Sequence, residues 1–411
     1  MSGANWANTT IWWSVYPLGA CDAPIWTPDT PGVHHRLARL EAWLDHIIEL
    51  GCNGLALGPI WASSTHGYDI LDHAAIDPRL GDDTDFDTLV ALCHSKGIRV
   101  MLDGVFNHVS ADHEWVRRVL ANGWGDPAAR MLKADPADPQ GLARFEGHSQ
   151  LVELDHSHPE VADYAAGVMN QWLDRGADGW RLDAAYRVPH QFWTEVLPRV
   201  RNNHPDLWVM AEILHGDYAS IAQETGVDSI TQYELWKAIW SSLKDDNPHE
   251  LMWAIERNER ALRGETPWTF VSNHDVTRIF SQVGPQKALM ALGILMTLPG
   301  APALYYGDEW GWTGVKEDRE RGDDALRPAL PDEPQPLTAT EAETMRMTQL
   351  AIRIRRTHPW LVAGSTTVLQ SSYDHLVWRT SDGENWVQAE LTAGSTPSLV
   401  ISDATGELLN L

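Results

Sequence analysis

Apolar runs that read as strands alternate with apolar stripes that read as helices along most of the chain. Thr10–Tyr16 is the first strand-like run. In His35–Leu50, Leu37, Leu40, Trp43, Leu44, Ile47 and Ile48 recur at helical spacing, and Gly51 supplies the stop. Cys52–Pro59 is a second strand. Asp85–Ser95 is a helix closed by Gly97, and Ile98–Val105 is a third strand broken only by Asp103 near its end. The rhythm continues with a helix at Pro159–Arg175 and strands at Gly179–Ala184, Leu207–Ile213, Val227–Tyr233, Pro267–Asn273 and Ala301–Tyr306, then a last helix at Glu341–His358. Such alternation predicts an α/β fold with a parallel sheet, and eight strands are the number that closes a TIM (β/α)8 barrel.

Two stretches depart from this pattern. Residues from about 109 to 158 carry Pro, Gly, Asp and His with little periodicity. A connection this long in a compact domain is usually functional, so a small inserted subdomain is expected after the third strand. After Leu361 the runs become short: Thr366–Leu369, Leu376–Thr380, Trp386–Leu391 and Ser398–Ser402, with turn residues between them. They predict a short C-terminal antiparallel domain of β-sandwich-like form. The expected organisation is a barrel from 1–108 and 159–361, an insertion at 109–158 and a terminal domain at 362–411.

A length of 411 residues suits a barrel with accessories. The 31 Lys+Arg against 57 Asp+Glu leave a net charge of −26, and no basic patch suggests a nucleic-acid partner. The acidity reads as solubility and self-repulsion, or as adaptation to a salty medium. Ala288–Leu298, the longest apolar stretch, is too short to span a membrane. Cys21, Cys52 and Cys93 have no metal-type spacing and read as buried free thiols in a reducing compartment. The first residues show no basic-then-apolar leader, so a cytoplasmic location is expected. The 21 tryptophans suit sugar stacking and core packing alike, and composition alone assigns none of them.

The candidate chemistry lies where apolar runs end in carboxylates: Asp183, Glu212 and Asp275. Three acids at strand ends fit a site at the carboxyl face of a barrel. Hydrolysing a glycosidic bond needs two carboxyl groups, about 5–5.5 Å apart in a retaining enzyme. Asp183 and Glu212 are 29 residues apart, about one strand-helix unit, which puts them on neighbouring strands. Arg181 shares a face with Asp183 and is expected to hold it ionised. Glu212, among Trp208, Val209, Met210 and Ile213, is expected to have the raised pKa of a general acid.

The sequence around these acids carries a family resemblance. Asp103–His108 (Asp-Gly-Val-Phe-Asn-His), Gly179–Ala185 (Gly-Trp-Arg-Leu-Asp-Ala-Ala), Ala211–His215 (Ala-Glu-Ile-Leu-His) and Phe270–Asp275 (Phe-Val-Ser-Asn-His-Asp) resemble the four signature regions of the α-amylase family of glycoside hydrolases. His66–Asp69, Leu304–Glu309 and Val152–Tyr164 add three further matches in the family's order. The resemblance covers about Trp12 to Pro359 and implies a retaining hydrolase of α-glucosidic bonds in maltooligosaccharides or cyclic α-glucans. It looks closest to the cyclomaltodextrinase and neopullulanase side of the family. It leaves open a transglycosylase or isomerase, and a hydrolase of cyclic oligosaccharides with α-1,6 bonds.

By that resemblance Asp183 is the nucleophile, Glu212 the acid/base and Asp275 the grip on substrate hydroxyls. Arg181, His108 and His274 match residues around the same sugar, and Tyr68 matches the tyrosine that stacks on it. Asp69 and Asp103 match acids at the site floor. Tyr186 and Arg187 differ from the usual residues after the nucleophile, on the side that sets substrate preference. Asn107 ligates calcium in many relatives, but Gly19–Val33 has no run of alternating acidic ligands, so no cofactor is expected from the first loop and calcium stays open. The partner expected is an oligosaccharide, with no nucleic acid and no membrane; a homodimer is compatible with the sequence.

Overall fold

The computed structural model describes residues 5–26, 31–261 and 266–411. Its centre is a barrel of parallel strands: β1 (Trp12–Val15), β2 (Gly54–Leu57), β3 (Arg99–Gly104), β4 (Gly179–Leu182), β5 (Trp208–Ala211), β6 (Ser229–Ile230), β7 (Trp268–Phe270) and β8 (Ala301–Tyr305). They pair in the order β6-β5-β4-β3-β2-β1-β8-β7, and a parallel bridge from Thr231 to Trp268 joins the two ends. The strands are shorter than the apolar runs that announce them. The last residues of each run leave the ladder and become the loops that carry chemistry.

Side chains alternate in and out along each strand. The inward set includes Trp12, Ala56, Met101, Trp208, Met210, Trp268 and Phe270, which pack as one cluster inside the barrel. Near the amino-terminal mouth Trp12 stacks on Trp208 at 5.7 Å and meets Trp268 at 5.6 Å. Gly54 is in register with Trp12, and a Cβ there would come within 2.5 Å of the indole. Gly179 is likewise in register with Trp208. Large rings beside bare backbone fill the taper without strain. Many tryptophans are thus core residues, among them Trp13, Trp61, Trp172, Trp180 and Trp193, all fully buried.

Helices surround the barrel. The stripe in His35–Leu50 is two short helices, Ala38–Glu41 and Leu44–Leu50, ended by left-handed Gly51 (φ 97°). Helices at Tyr218–Thr225, Tyr233–Lys244, His249–Ala261 and Pro285–Thr297 occupy stretches the periodicity left unassigned. The insertion opens and closes on an antiparallel pair, His108–Ser110 with Leu151–Glu153, and carries a helix at Glu114–Asn122.

The terminal domain corrects one expectation. Its strands β9 (Ser365–Ser371), β10 (His375–Ser381), β11 (Trp386–Thr392), β12 (Ser398–Asp403) and β13 (Gly406–Asn410) form one antiparallel meander, not a sandwich. The second layer is supplied by the barrel. Leu399 packs against Gly293 of helix Pro285–Thr297, and Trp378 Nε1 donates to Thr297 Oγ1 at 3.2 Å. Cys21, Cys52 and Cys93 are free and buried, and burial pushes Cys21 and Cys93 up to about 12. No helix among the described residues is long and apolar enough to cross a membrane.

Buried His73 bridges the Val105 carbonyl (2.8 Å) and the Tyr164 hydroxyl (2.9 Å), and burial lowers its pKa to about 3. An unfolded imidazole titrates near 6.5. As pH falls from about 6.5 to 3 the unfolded chain binds a proton that the folded one refuses, so stability drops across that window. His73→Gln is expected to melt lower than wild type at pH 7.5 but with a shallower fall in Tm toward about pH 4. Calorimetry at a series of pH values checks this, and parallel slopes would refute it.

Candidate active site

Period-two alternation carries β3, β4 and β5 up to a polar floor. Asp103 follows Met101 on β3, Asp183 follows Arg181 at the end of β4, and Glu212 follows Met210 after β5. Asp103 is in register with Arg181, and Arg181 with Met210. Adjacent strands therefore place the three acids side by side around one guanidinium. Arg181 Nη1 lies 2.6 Å from each Asp103 oxygen and 3.0 Å from Asp183 Oδ1, while Nη2 lies 2.9 Å from Glu212 Oε1.

This shared cation changes the picture drawn from sequence. Burial pushes Asp183 well above the usual carboxylate range. Arg181 pulls it down, but Glu212, Asp103 and Asp275 push it up again. Arg181 is thus not the partner of Asp183 alone; one positive charge is divided among three negative ones. Nor is the Glu212 carboxylate in the apolar setting its neighbours suggested. Besides Arg181 it accepts from the Ala184 amide (2.9 Å) and the Tyr233 hydroxyl (3.2 Å). The Ala184 contact also explains a strained residue: Ala184 sits at φ 45°, left-handed, immediately after Asp183.

Across the floor lies a second group. His274 Nε2 is 2.9 Å from Asp275 Oδ2, and Arg327 Nη2 is 3.1 Å from Asp275 Oδ1. Burial alone would raise Asp275, but the charges of His274, Arg327 and Arg181 hold it far below the usual carboxylate range. The Tyr68 hydroxyl joins the two groups, donating to Asp103 Oδ2 (3.1 Å) and meeting His274 Nε2. Its ring lies parallel to His274 at 5.4 Å. A cavity of about 40 Å³ beneath is lined by Ser14, Met101, Arg181, Thr231, Tyr233 and Asn273 among others.

The remaining sequence candidates divide. His108 is buried at the edge, with Nε2 against the Tyr68 carbonyl (3.2 Å) and Nδ1 against the Asn107 amide (3.0 Å). Burial lowers its pKa to about 3, so it is a neutral group already partnered by protein. Asp69 accepts from the Thr65 amide and hydroxyl (3.0 and 2.6 Å); it holds its loop and is not bonded to the acid cluster. Tyr186 donates to Glu146 at 2.9 Å, and exposed Arg187 pairs with Glu153 at 3.3 Å. Both bind the insertion to the barrel rim.

The Asn107 amide nitrogen lies 3.0 Å from His108 Nδ1, and a hard cation at its oxygen would need several further carboxylate or carbonyl oxygens. Among the described residues the one His/Cys/Asp/Glu group with ligand-like spacing is His35, Asp82 and Asp85, where Asp82 and Asp85 form the capping box of a helix. Residues 27–30 of the Gly19–Val33 segment lie outside the described residues.

Sequence reasoning missed Tyr233, Arg327, Asn273 and Glu146. Tyr233 had a signal: it continues the inward period of Ser229 and Thr231. Arg327 had none, since it lies in the Pro-rich connection after β8 and reaches the site only through the fold.

Comparison with known proteins bears on this arrangement. The family model for the alpha amylase catalytic domain matches residues 37–136 and 143–330. A cyclomaltodextrinase of Geobacillus thermopakistaniensis (strain MAS1) is 29% identical over 93% of this chain, which spans 68% of that protein. An intracellular maltogenic amylase of Bacillus subtilis is 30% identical over 76% of this chain, which spans 57% of it. Among solved structures, the cyclic α-maltosyl-(1→6)-maltose hydrolase of Arthrobacter globiformis superposes with a TM-score of 0.84 over 100% of both chains at 24% identity, a likeness of fold.

Proposed function

The chain belongs to the α-amylase family, and from that premise we propose that it hydrolyses α-glucosidic bonds in short linear or cyclic maltooligosaccharides with retention of configuration. The observation that carries this is the trio of acids on β3 and just past β4 and β5, gathered around Arg181 and facing Asp275 across the floor.

In this reading Asp183 attacks the anomeric carbon while Glu212 gives a proton to the departing oxygen, and an ester forms on Asp183. Water then loses a proton to Glu212, bonds to the anomeric carbon and breaks the ester. Two inversions return the α anomer. Positive charge growing on the sugar draws Asp183 toward its ionised form. Asp275, fixed as a carboxylate by His274 and Arg327, is placed to accept from sugar hydroxyls. Tyr68 is placed to stack its ring on the sugar, while Arg181 holds the acids in register.

A cytoplasmic location is part of the proposal. Three free buried thiols suit a reducing compartment, and the Bacillus subtilis relative is named an intracellular enzyme. The substrate class follows the names of the relatives. A panel of maltooligosaccharides, cyclodextrins, pullulan and a cyclic maltosyl-maltose, followed by NMR, tests the reading. α-Anomeric products from the small substrates are expected; β-anomeric first products, or no cleavage, would overturn it.

A further inference from the structure

One turn of the insertion reaches across the rim. Phe145 stacks on His108 with ring centres 4.6 Å apart and planes 19° from parallel. Glu146 follows in the left-handed region (φ 50°), then Gly147 (φ 81°). A left-handed backbone is strained for any residue but glycine, and glycine would remove that strain. The position also adds a carboxylate at the rim of a site whose floor already sets three acids around one guanidinium. Both features run against local preference, and such exceptions cluster at working sites.

The Glu146 carboxylate is exposed yet pinned. The Tyr186 hydroxyl donates to its Oε1 at 2.9 Å, and the Tyr186 amide donates to the Glu212 carbonyl at 3.2 Å. Glu146 is therefore linked through one side chain to the residue that protonates the leaving oxygen. Tyr68, His274 and Asp275 occupy the other side of the floor.

Resting on the function proposed above, the geometry points to Glu146 as a specificity-determining residue on the leaving-group side, one that sets how the glycosyl-enzyme divides between water and a sugar acceptor. In transfer, an acceptor hydroxyl loses its proton to Glu212, its oxygen bonds to the anomeric carbon, and the ester bond to Asp183 breaks. In hydrolysis water does the same. A sugar must be held and oriented to compete, and a fixed carboxylate at this rim accepts hydrogen bonds from its hydroxyls. Water needs no such hold, so loss of Glu146 acts on the ratio of the two outcomes.

The test uses the full chain with maltotriose as donor and maltose added as acceptor. The ratio of transfer to hydrolysis products is read by NMR at equal conversion for wild type, Glu146→Gln, Glu146→Gly and Tyr186→Phe. Glycine keeps the turn without strain. Because both products come from one intermediate, the ratio does not depend on how much active protein a variant retains. The ratio is expected to fall about fivefold or more in both Glu146 variants, the loss of one hydrogen bond to a charged group, and to fall in Tyr186→Phe as well. Ratios within about twofold of wild type in both Glu146 variants overturn the inference. So does a wild-type protein that hydrolyses but never transfers. No cleavage of donor by wild type overturns the function beneath it too.

Discussion

Asp183→Asn is expected to lower kcat on maltotriose by at least about 10⁴-fold, the scale seen when a covalent nucleophile is removed, while raising the melting temperature. The two effects share one cause. The carboxamide keeps the volume and an oxygen that still accepts from Arg181, now 3.0 Å away. It removes a buried negative charge from a set in which Asp103, Glu212 and Asp183 compete for one guanidinium. Burial and its acidic neighbours already push the Asp183 carboxyl well above its ordinary range. That is the mark of a group the folded state tolerates at a cost. Relief of such a cost typically stabilises by about 0.5–2 kcal/mol. Calorimetry and steady-state kinetics on one preparation check both halves. Turnover near wild type would remove Asp183 from the chemistry, and a lower melting temperature would show that the charge supports the fold.

The acid at the end of β4 was legible because strand periodicity and family signature agree on it. The same holds for Glu212 after β5 and Asp275 after β7: each ends an apolar run, and a buried run ending in a carboxylate is a strong local signal. Their environments were not legible. Arg181 reads in sequence as the partner of Asp183, two residues on. Only the lateral register of β3, β4 and β5 shows that it also serves Asp103 and Glu212. Arg327, on Asp275, lies 52 residues away and is brought there by the loop after β8. Glu146 sits in an aperiodic insertion where no pattern distinguishes one acidic residue from another. The terminal domain shows the same limit. Alternation in β9–β12 announces strands, but not whether helix or sheet covers their apolar face, and here the helices do. Local pattern reports what a residue is next to in the chain, whereas the electrostatics of a barrel floor are set by neighbours across strands.

Glu212→Gln is expected to lower kcat/KM on maltotriose by at least about a thousandfold, but on α-glucosyl fluoride by less than about tenfold. Fluoride departs without a proton, so the first bond-breaking step no longer needs an acid. kcat/KM reports that step, whereas kcat also includes the return of water, which still needs a base. The contrast between leaving groups matters because Glu212 has a structural duty as well. Its Oε2 accepts from the Ala184 amide and its Oε1 lies against Arg181 and Tyr233, all of them donors. A glutamine has one accepting oxygen, so it satisfies Ala184 or Arg181 and not both. Some loosening of the left-handed turn behind Asp183 is expected, worth about 1–3 kcal/mol for a buried donor left unpaired. A loosened turn would misplace the nucleophile and slow both substrates alike. Equal losses on the two substrates would therefore assign Glu212 to holding Ala184 in place, while a gap of two orders of magnitude or more between them assigns it the proton.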